Sequence, residues 1–402
     1  MNRLIQYWKY FITWIKGLFH KSYKDTIDNE YMKDFQDHFD FGLYAHTAWF
    51  SFPTRRIPYA EIKAMGIDFV YEQLGVPYEI SEALQEAKKA GIKVLLNGYY
   101  NVYKIAKSSL KTLLEKLTAS EENKGAFMGV LAYDEPHLEA NGKDNADLTW
   151  IKEHIIDKYK ECTDKGVCFL NCLPNYARQS QVLDGTYLPS EEYVDLDIYR
   201  DYITQCAKIS DVVCGDFYGP FDGKKKDLWI PYLKVMREVS KALNKPMWQF
   251  VSCTKQGGAV EPTEEVLKHR IILNLMYGAQ SIIFFKMLDY NSTSSPYTTG
   301  TTKSPTYDML KNILAENSDL RKLASLFKNA AVSNITDTEE AITATVTKNN
   351  RSYKVTYALK GQVLNKKDST IVDNSSLGII YLSNGEIHLS EGEYLIEILT
   401  KM

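Results

Sequence analysis

The chain has 402 residues, a formal net charge of −3, 45% hydrophobic residues and 25% charged residues. These values exclude disorder or low complexity as the main state, and the length allows one large domain plus a smaller one. The near balance of charge excludes nucleic acid as the main partner, because a phosphate-binding surface needs a large Lys/Arg excess.

Residues 1–21 open the chain with Leu4, Ile5, Trp8, Phe11, Ile12, Ile15, Leu18 and Phe19 at i, i+3, i+4 spacing. Asn2, Gln6, Lys9, Thr13, Lys16 and His20 take the other face, which predicts a basic amphipathic helix. Lys9 and Lys16 break the apolar run, so the segment is too polar to span a bilayer and is a poor signal peptide. It packs on a domain or makes peripheral contact with a membrane surface. The expected location is therefore the cytoplasm or a membrane face rather than the exterior.

From residue 41 the pattern alternates strands with amphipathic helices. Strands are predicted at 41–48, 67–73, 92–98, 127–134, 167–173, 211–217, 247–252 and 281–287. Most are near-continuous apolar runs, as parallel strands buried on both faces require. Helices are predicted at 81–91, 107–122, 145–165, 227–243 and 262–279, and Gly66, Gly91 and Gly166 read as helix-ending glycines before the next strand. Eight such units predict an α/β fold, a (β/α)8 TIM barrel over 41–330, preceded by a helix and linker at 1–40. Beyond 331 the pattern becomes strand-like (341–347, 352–359, 378–382, 393–399), with Asn384-Gly385 as a hairpin signal, which predicts a small antiparallel β-sandwich domain at 331–402. The six cysteines all fall between Cys162 and Cys253 with no zinc-type spacing, so free buried thiols are expected.

A barrel of this kind carries its active site at the C-terminal ends of its strands. That rule selects His46, Glu72, Asn97, Tyr99, Asp134, Glu135, His137, Asn171, Asp216, Tyr218, Gln249, Lys286 and Asp289. Carboxylates, amides and aromatics dominate this rim. Such groups bind sugar hydroxyls and stack on sugar rings, and the abundance of tyrosine (28 residues) points the same way. No phosphate-binding glycine loop is present, and no metal or organic cofactor is implied.

The sharpest motif is Tyr133-Asp134-Glu135-Pro136-His137 at the end of the fourth strand. It resembles the (β/α)8 glycoside hydrolases of the large retaining clan and their uncharacterised Asp-Glu-Pro relatives. Asp216-Phe217-Tyr218, Trp248-Gln249-Phe250 and the passage 269–285 are similar to segments of those relatives. The resemblance implies a carbohydrate substrate and makes Glu135 the general acid that protonates the leaving oxygen. It also implies a nucleophilic Glu at the end of the seventh strand, but no carboxylate lies in 247–253. Asp216, Asp289 or Glu72 is left as the second carboxylate. Cleavage of an O-glycosidic bond is the first expectation, with Glu135 and Asp216 as catalytic residues. A barrel that binds glycan without cutting it is the second, and a lyase or another hydrolase on the same scaffold the third.

Overall fold

The structure is a computed structural model. It describes residues 32–45, 57–72, 74, 77–119, 125–139, 147–220, 227–255, 260–288, 294–298, 301–360, 362–365, 370–371, 386–389 and 394–399. The predicted helix at 1–21, the candidates His46 and Asp289, and the Asn384-Gly385 hairpin lie outside the described residues.

Eight parallel strands form one sheet: β1 (Asp40–Tyr44), β2 (Phe69–Glu72), β3 (Lys93–Asn97), β4 (Phe127–Asp134), β5 (Val167–Asn171), β6 (Val213–Asp216), β7 (Met247–Ser252) and β8 (Ala279–Phe285). Each pairs with its neighbours in the order β5-β4-β3-β2-β1-β8-β7-β6. The two outer strands meet at a parallel bridge between Cys172 and Gly215, where the Cys172 N–H donates to the Cys214 carbonyl at 3.0 Å. The sheet is thereby a barrel, as the strand count predicts. Its interior is filled by Phe69, Tyr71, Leu95, Leu131, Phe169, Cys214, Trp248, Phe250 and Ile283. These side chains come from every second residue of their strands, as the two-residue period of a strand requires.

The helices follow their apolar stripes. Pro77–Ala90, Lys107–Ala119, Trp229–Leu243 and Glu264–Met276 occupy four of the predicted segments. The predicted helix at 145–165 is Leu148–Ile151, a π-helical turn at Lys152–Ile156, and Asp157–Cys162. Helix Leu196–Ile209, absent from the sequence reading, begins at Asp195, whose carboxylate caps the Asp197 and Ile198 amides. It buries Tyr199, Tyr202, Ile203, Cys206 and Ala207. Its stripe mixes tyrosines and a cysteine with few aliphatic residues, which weakens the periodic signal. All six cysteines are buried and free. Among the described residues no helix is long and apolar enough to cross a membrane.

The chain divides into two compact units. Residues 40–318 form the barrel unit, and the flanking stretches on either side form the other. In the latter, β9 (Ala331–Asp337), β10 (Ala341–Lys348), β11 (Arg351–Ala358), β12 (Gln362–Asn365), β13 (Thr370–Ile371), β14 (Glu386–Leu389) and β15 (Tyr394–Leu399) make a five-stranded antiparallel sheet and a two-stranded one. The division does not fall where the strand pattern begins. Helix Asp319–Phe327 goes with the sheet because it buries Leu320, Leu323, Leu326 and Phe327, and Lys348 of β10 donates to its Ser325 carbonyl. The early segment 32–39 joins this unit through Asp34, which is fully buried. Its carboxylate takes bonds from Asn349 at 2.7 Å, Arg351 at 3.1 Å and the Tyr353 hydroxyl.

Candidate active site

The site grows from a bulge in β4. Leu131 pairs with Phe169, but Tyr133 pairs with Leu170 and Asp134 with Asn171, so β4 carries one extra residue, Ala132. Leu131 and Phe169 both face the barrel interior. In unbroken register Tyr133 would stand opposite Asn171. The bulge puts Asp134 there instead, and Asn171 Nδ2 donates to Asp134 Oδ1 at 2.8 Å. Gly98 at the end of β3 makes room, since a Cβ there would lie 2.3 Å from the Ala132 carbonyl oxygen.

Glu135 follows with φ 54°, a left-handed conformation that costs a residue with a side chain ~1–2 kcal/mol. The turn is held by two bonds. The Glu135 N–H donates to the Asn171 carbonyl at 2.8 Å, and the Tyr202 hydroxyl donates to the Pro136 carbonyl at 2.8 Å. Strain retained in this way is a mark of a working site.

Asp216 ends β6 and is 1% exposed. Its side chain bonds those of Tyr218, Asn171 and Glu135. Asp134 and Glu135 keep exposed surface, yet protein crowds both closely enough for burial to dominate their titration. Those two facts together describe the floor of a concave cleft. Burial and the neighbouring Asp134 charge push the Glu135 carboxyl up to about 7, against the opposing hydrogen bond from Asp216. Water in the cleft tempers this effect without reversing it. Asp216 also rises well above the usual carboxylate range, first because it is buried and then because Glu135 and Asp134 face it. Its Oδ1 has no partner among the described residues, which also favours the neutral acid. Glu135 and Asp216 thus share protons as a pair, with Asp216 the donor.

Aromatic rings line the cleft on its other side. Tyr218 stacks on Phe285 of β8 with centroids 5.1 Å apart, and Tyr44 of β1 meets Phe285 edge-on at 5.0 Å. Burial raises the Tyr44 phenol, helped by the charges of Asp134 and Glu72. The Lys286 ammonium lies 5.4 Å from the Phe285 centroid. Across the cleft a pocket of about 240 Å³ runs from Glu135 past Tyr176, Arg178, Gln181, Tyr187 and Tyr193.

Of the residues picked from sequence, the structure therefore brings together Asp134, Glu135, Asn171, Asp216 and Tyr218, with Lys286 beside them. Others lie elsewhere. Gln249 sits on the outer face of β7, fully buried, where the Tyr232 hydroxyl donates to its Oε1 at 2.6 Å. Glu72 accepts from the Tyr59 hydroxyl at 3.2 Å on the outer face of β2. Asn97 is spent on the Tyr71 hydroxyl. His137 is 2% exposed, its ring nitrogen 2.7 Å from the Glu139 carbonyl. Tyr99 joins Tyr103, Tyr133 and Trp150 in a half-buried ring cluster, with the Lys104 ammonium 4.8 Å above its ring. Sequence reasoning missed Tyr44, Tyr176 and Arg178. Tyr44 is the true last residue of β1, and the other two lie just past β5, so a slightly wider strand-end window would have found them. Among the described residues no three His, Cys, Asp or Glu side chains are grouped as a metal set would be.

No family model and no curated protein matches the sequence. Solved structures do match the fold. The α-amylase from H. orenii superposes with a TM-score of 0.51 at 8% identity, covering 90% of this chain and 99% of its own. A noncanonic maltogenic α-amylase from Thermotoga neapolitana gives 0.48 at 11%, covering 90% and 98%. An endo-β-1,4-mannanase from Thermotoga petrophila gives 0.43 at 12%, covering 88% and 90%. These structural neighbours are glycoside hydrolases. At such identities the likeness is one of fold, a parallel eight-stranded barrel followed by a small antiparallel β domain.

Proposed function

We propose that the protein hydrolyses an O-glycosidic bond of an oligo- or polysaccharide, with Glu135 as the general acid. One observation carries the reading: a carboxyl on the cleft floor, raised to about 7 by burial and by Asp134, and hydrogen-bonded to a second carboxyl. A general acid must hold its proton at working pH and still be acidic enough to give it up, and a value near neutrality meets both needs. The fold of the neighbouring hydrolases is compatible with this chemistry and does not by itself imply it.

Asp216 faces Glu135 closely enough for its hydrogen bond to oppose the rise of the Glu135 carboxyl. Its part is to position Glu135 and set its protonation. Asp134, held by Asn171, supplies the negative charge that steadies positive charge developing on the sugar ring. Tyr218, Tyr44 and Phe285 offer apolar faces to that ring.

The test is product release from a broad oligosaccharide panel by wild type and Glu135→Gln. A loss of roughly a hundredfold or more in kcat is expected for the variant, the usual size of a general-acid contribution. Equal rates would remove Glu135 from that role. The second reading, a barrel that binds glycan without cutting it, is favoured by β7, which carries no carboxylate from Met247 to Ser252. Tight binding with no turnover by wild type would select it.

A further inference from the structure

Among the described residues Arg178 is the one cationic side chain lining the pocket that opens from Glu135. Its guanidinium lies over the Tyr193 ring, 4.6 Å from the centroid, and one Nη donates to the Pro189 carbonyl at 3.1 Å. Stacking and hydrogen bond together fix the plane of the fork. Among the described residues no carboxylate lies at ion-pair distance from it. Glu191 on the same loop is occupied by Ser180, accepting from both its N–H (3.1 Å) and its hydroxyl. Gln181 beside it accepts the Arg178 N–H through Oε1, which leaves its amide nitrogen as a further donor for the pocket. Tyr187, 63% exposed, also lines the pocket.

We propose that Arg178 is the anion-recognising element of this cleft and that the glycan it takes carries an acidic group, the carboxylate of a uronic acid residue. The inference rests on the cleft being a glycan site, as proposed above. A planar, pre-oriented guanidinium matches a carboxylate through two parallel N–H···O bonds, and its stacking on Tyr193 lowers the entropy lost when they form. A neutral sugar would bring no counter-charge to that guanidinium.

Binding measured calorimetrically separates this inference from catalysis. The probes are tetrasaccharides of polygalacturonate, alginate and hyaluronan, each beside its carboxyl-reduced neutral counterpart, plus a carrageenan tetrasaccharide. They are titrated into Glu135→Gln and into Glu135→Gln carrying Arg178→Gln or Arg178→Lys. At least one uronate probe is expected to bind roughly tenfold or more tighter than its reduced form. Arg178→Gln should erase that preference, and Arg178→Lys should keep only part of it, since an ammonium cannot form the double bond pattern. Melting curves of both variants check that they fold. Equal affinity for acid and reduced forms, a preference that survives Arg178→Gln, or no binding of any uronate would overturn the proposal; an Arg178-dependent preference for carrageenan alone would replace carboxylate with sulfate. Charge-selective binding without cleavage by wild type would leave Arg178 in place and defeat the hydrolase reading. Cleavage of neutral glycans with no charge preference would do the reverse.

Discussion

Glu135 holds its proton toward neutral pH because burial and the Asp134 charge penalise the carboxylate, while the hydrogen bond from Asp216 works the other way. As an acid, Glu135 works only while protonated, so kcat/KM should fall as pH rises through about 7. Asp216→Val fills the space but removes the hydrogen bond that favours the Glu135 carboxylate. The alkaline limb of the pH–rate profile should then move to higher pH, with KM little changed. A variant that lost activity uniformly at every pH would point to a merely structural Asp216. At this scale sequence reached only part of the site. Strand-end position and the Asp-Glu-Pro motif located Asp134 and Glu135, because both follow from local order along one strand. Gln249 and Glu72 were misplaced for a definite reason. β7 and β2 are apolar on both faces, so composition does not reveal which alternate residues look inward. Trp248 and Phe250 do, as do Phe69 and Tyr71, and their neighbours are turned toward the helices.

At the scale of the element, the bulge in β4 does what no motif states. It shifts the alternation by one residue and delivers Asp134 to the interior beside Asn171. Gly98 permits it, so Gly98→Ala should force the β3 end away from Ala132, where the added Cβ would meet backbone at 2.3 Å. We expect a loss of about 2 kcal/mol of stability by denaturant titration, and a larger proportional loss of activity than of stability. Retention of both would mean that the bulge is not what aims Asp134. The strands themselves were legible to within a few residues, because their apolar runs are long and glycine-bounded. The bulge was not: Ala132 is as apolar as its neighbours, and an extra residue leaves no trace in a run of that kind.

Across the whole molecule, the sheet unit draws on residues from both sides of the barrel. Asp34 is its clasp, and breaking a buried charge pair by removing one partner costs ~3–5 kcal/mol. Asp34→Ala should therefore lower the protection of β10 and β11 amides in hydrogen exchange by a change of that order, while amides of β3 and β4 keep theirs. Loss of protection in all four strands together would show that the units unfold as one. The alternation of hydrophobic runs made the barrel and the small β domain visible in sequence. Asp34 joining that sheet was not visible, since one acid in a polar stretch carries no sign of a partner 315 residues away.

That separation sets an order of events on the ribosome. At ~5–20 residues per second, Asp34 emerges roughly 15 to 60 seconds before Asn349, and every barrel strand is made in the interval. The nascent chain must carry this stretch unclaimed while the barrel strands are made, and only then recruit it into the sheet. A chain released early, after the barrel but before β11, would expose an acid meant for burial and leave helix Asp319–Phe327 without its sheet. The strands that claim Asp34 are thus made after every strand that carries the chemistry, and a barrel can be complete while this acid still waits for its partners.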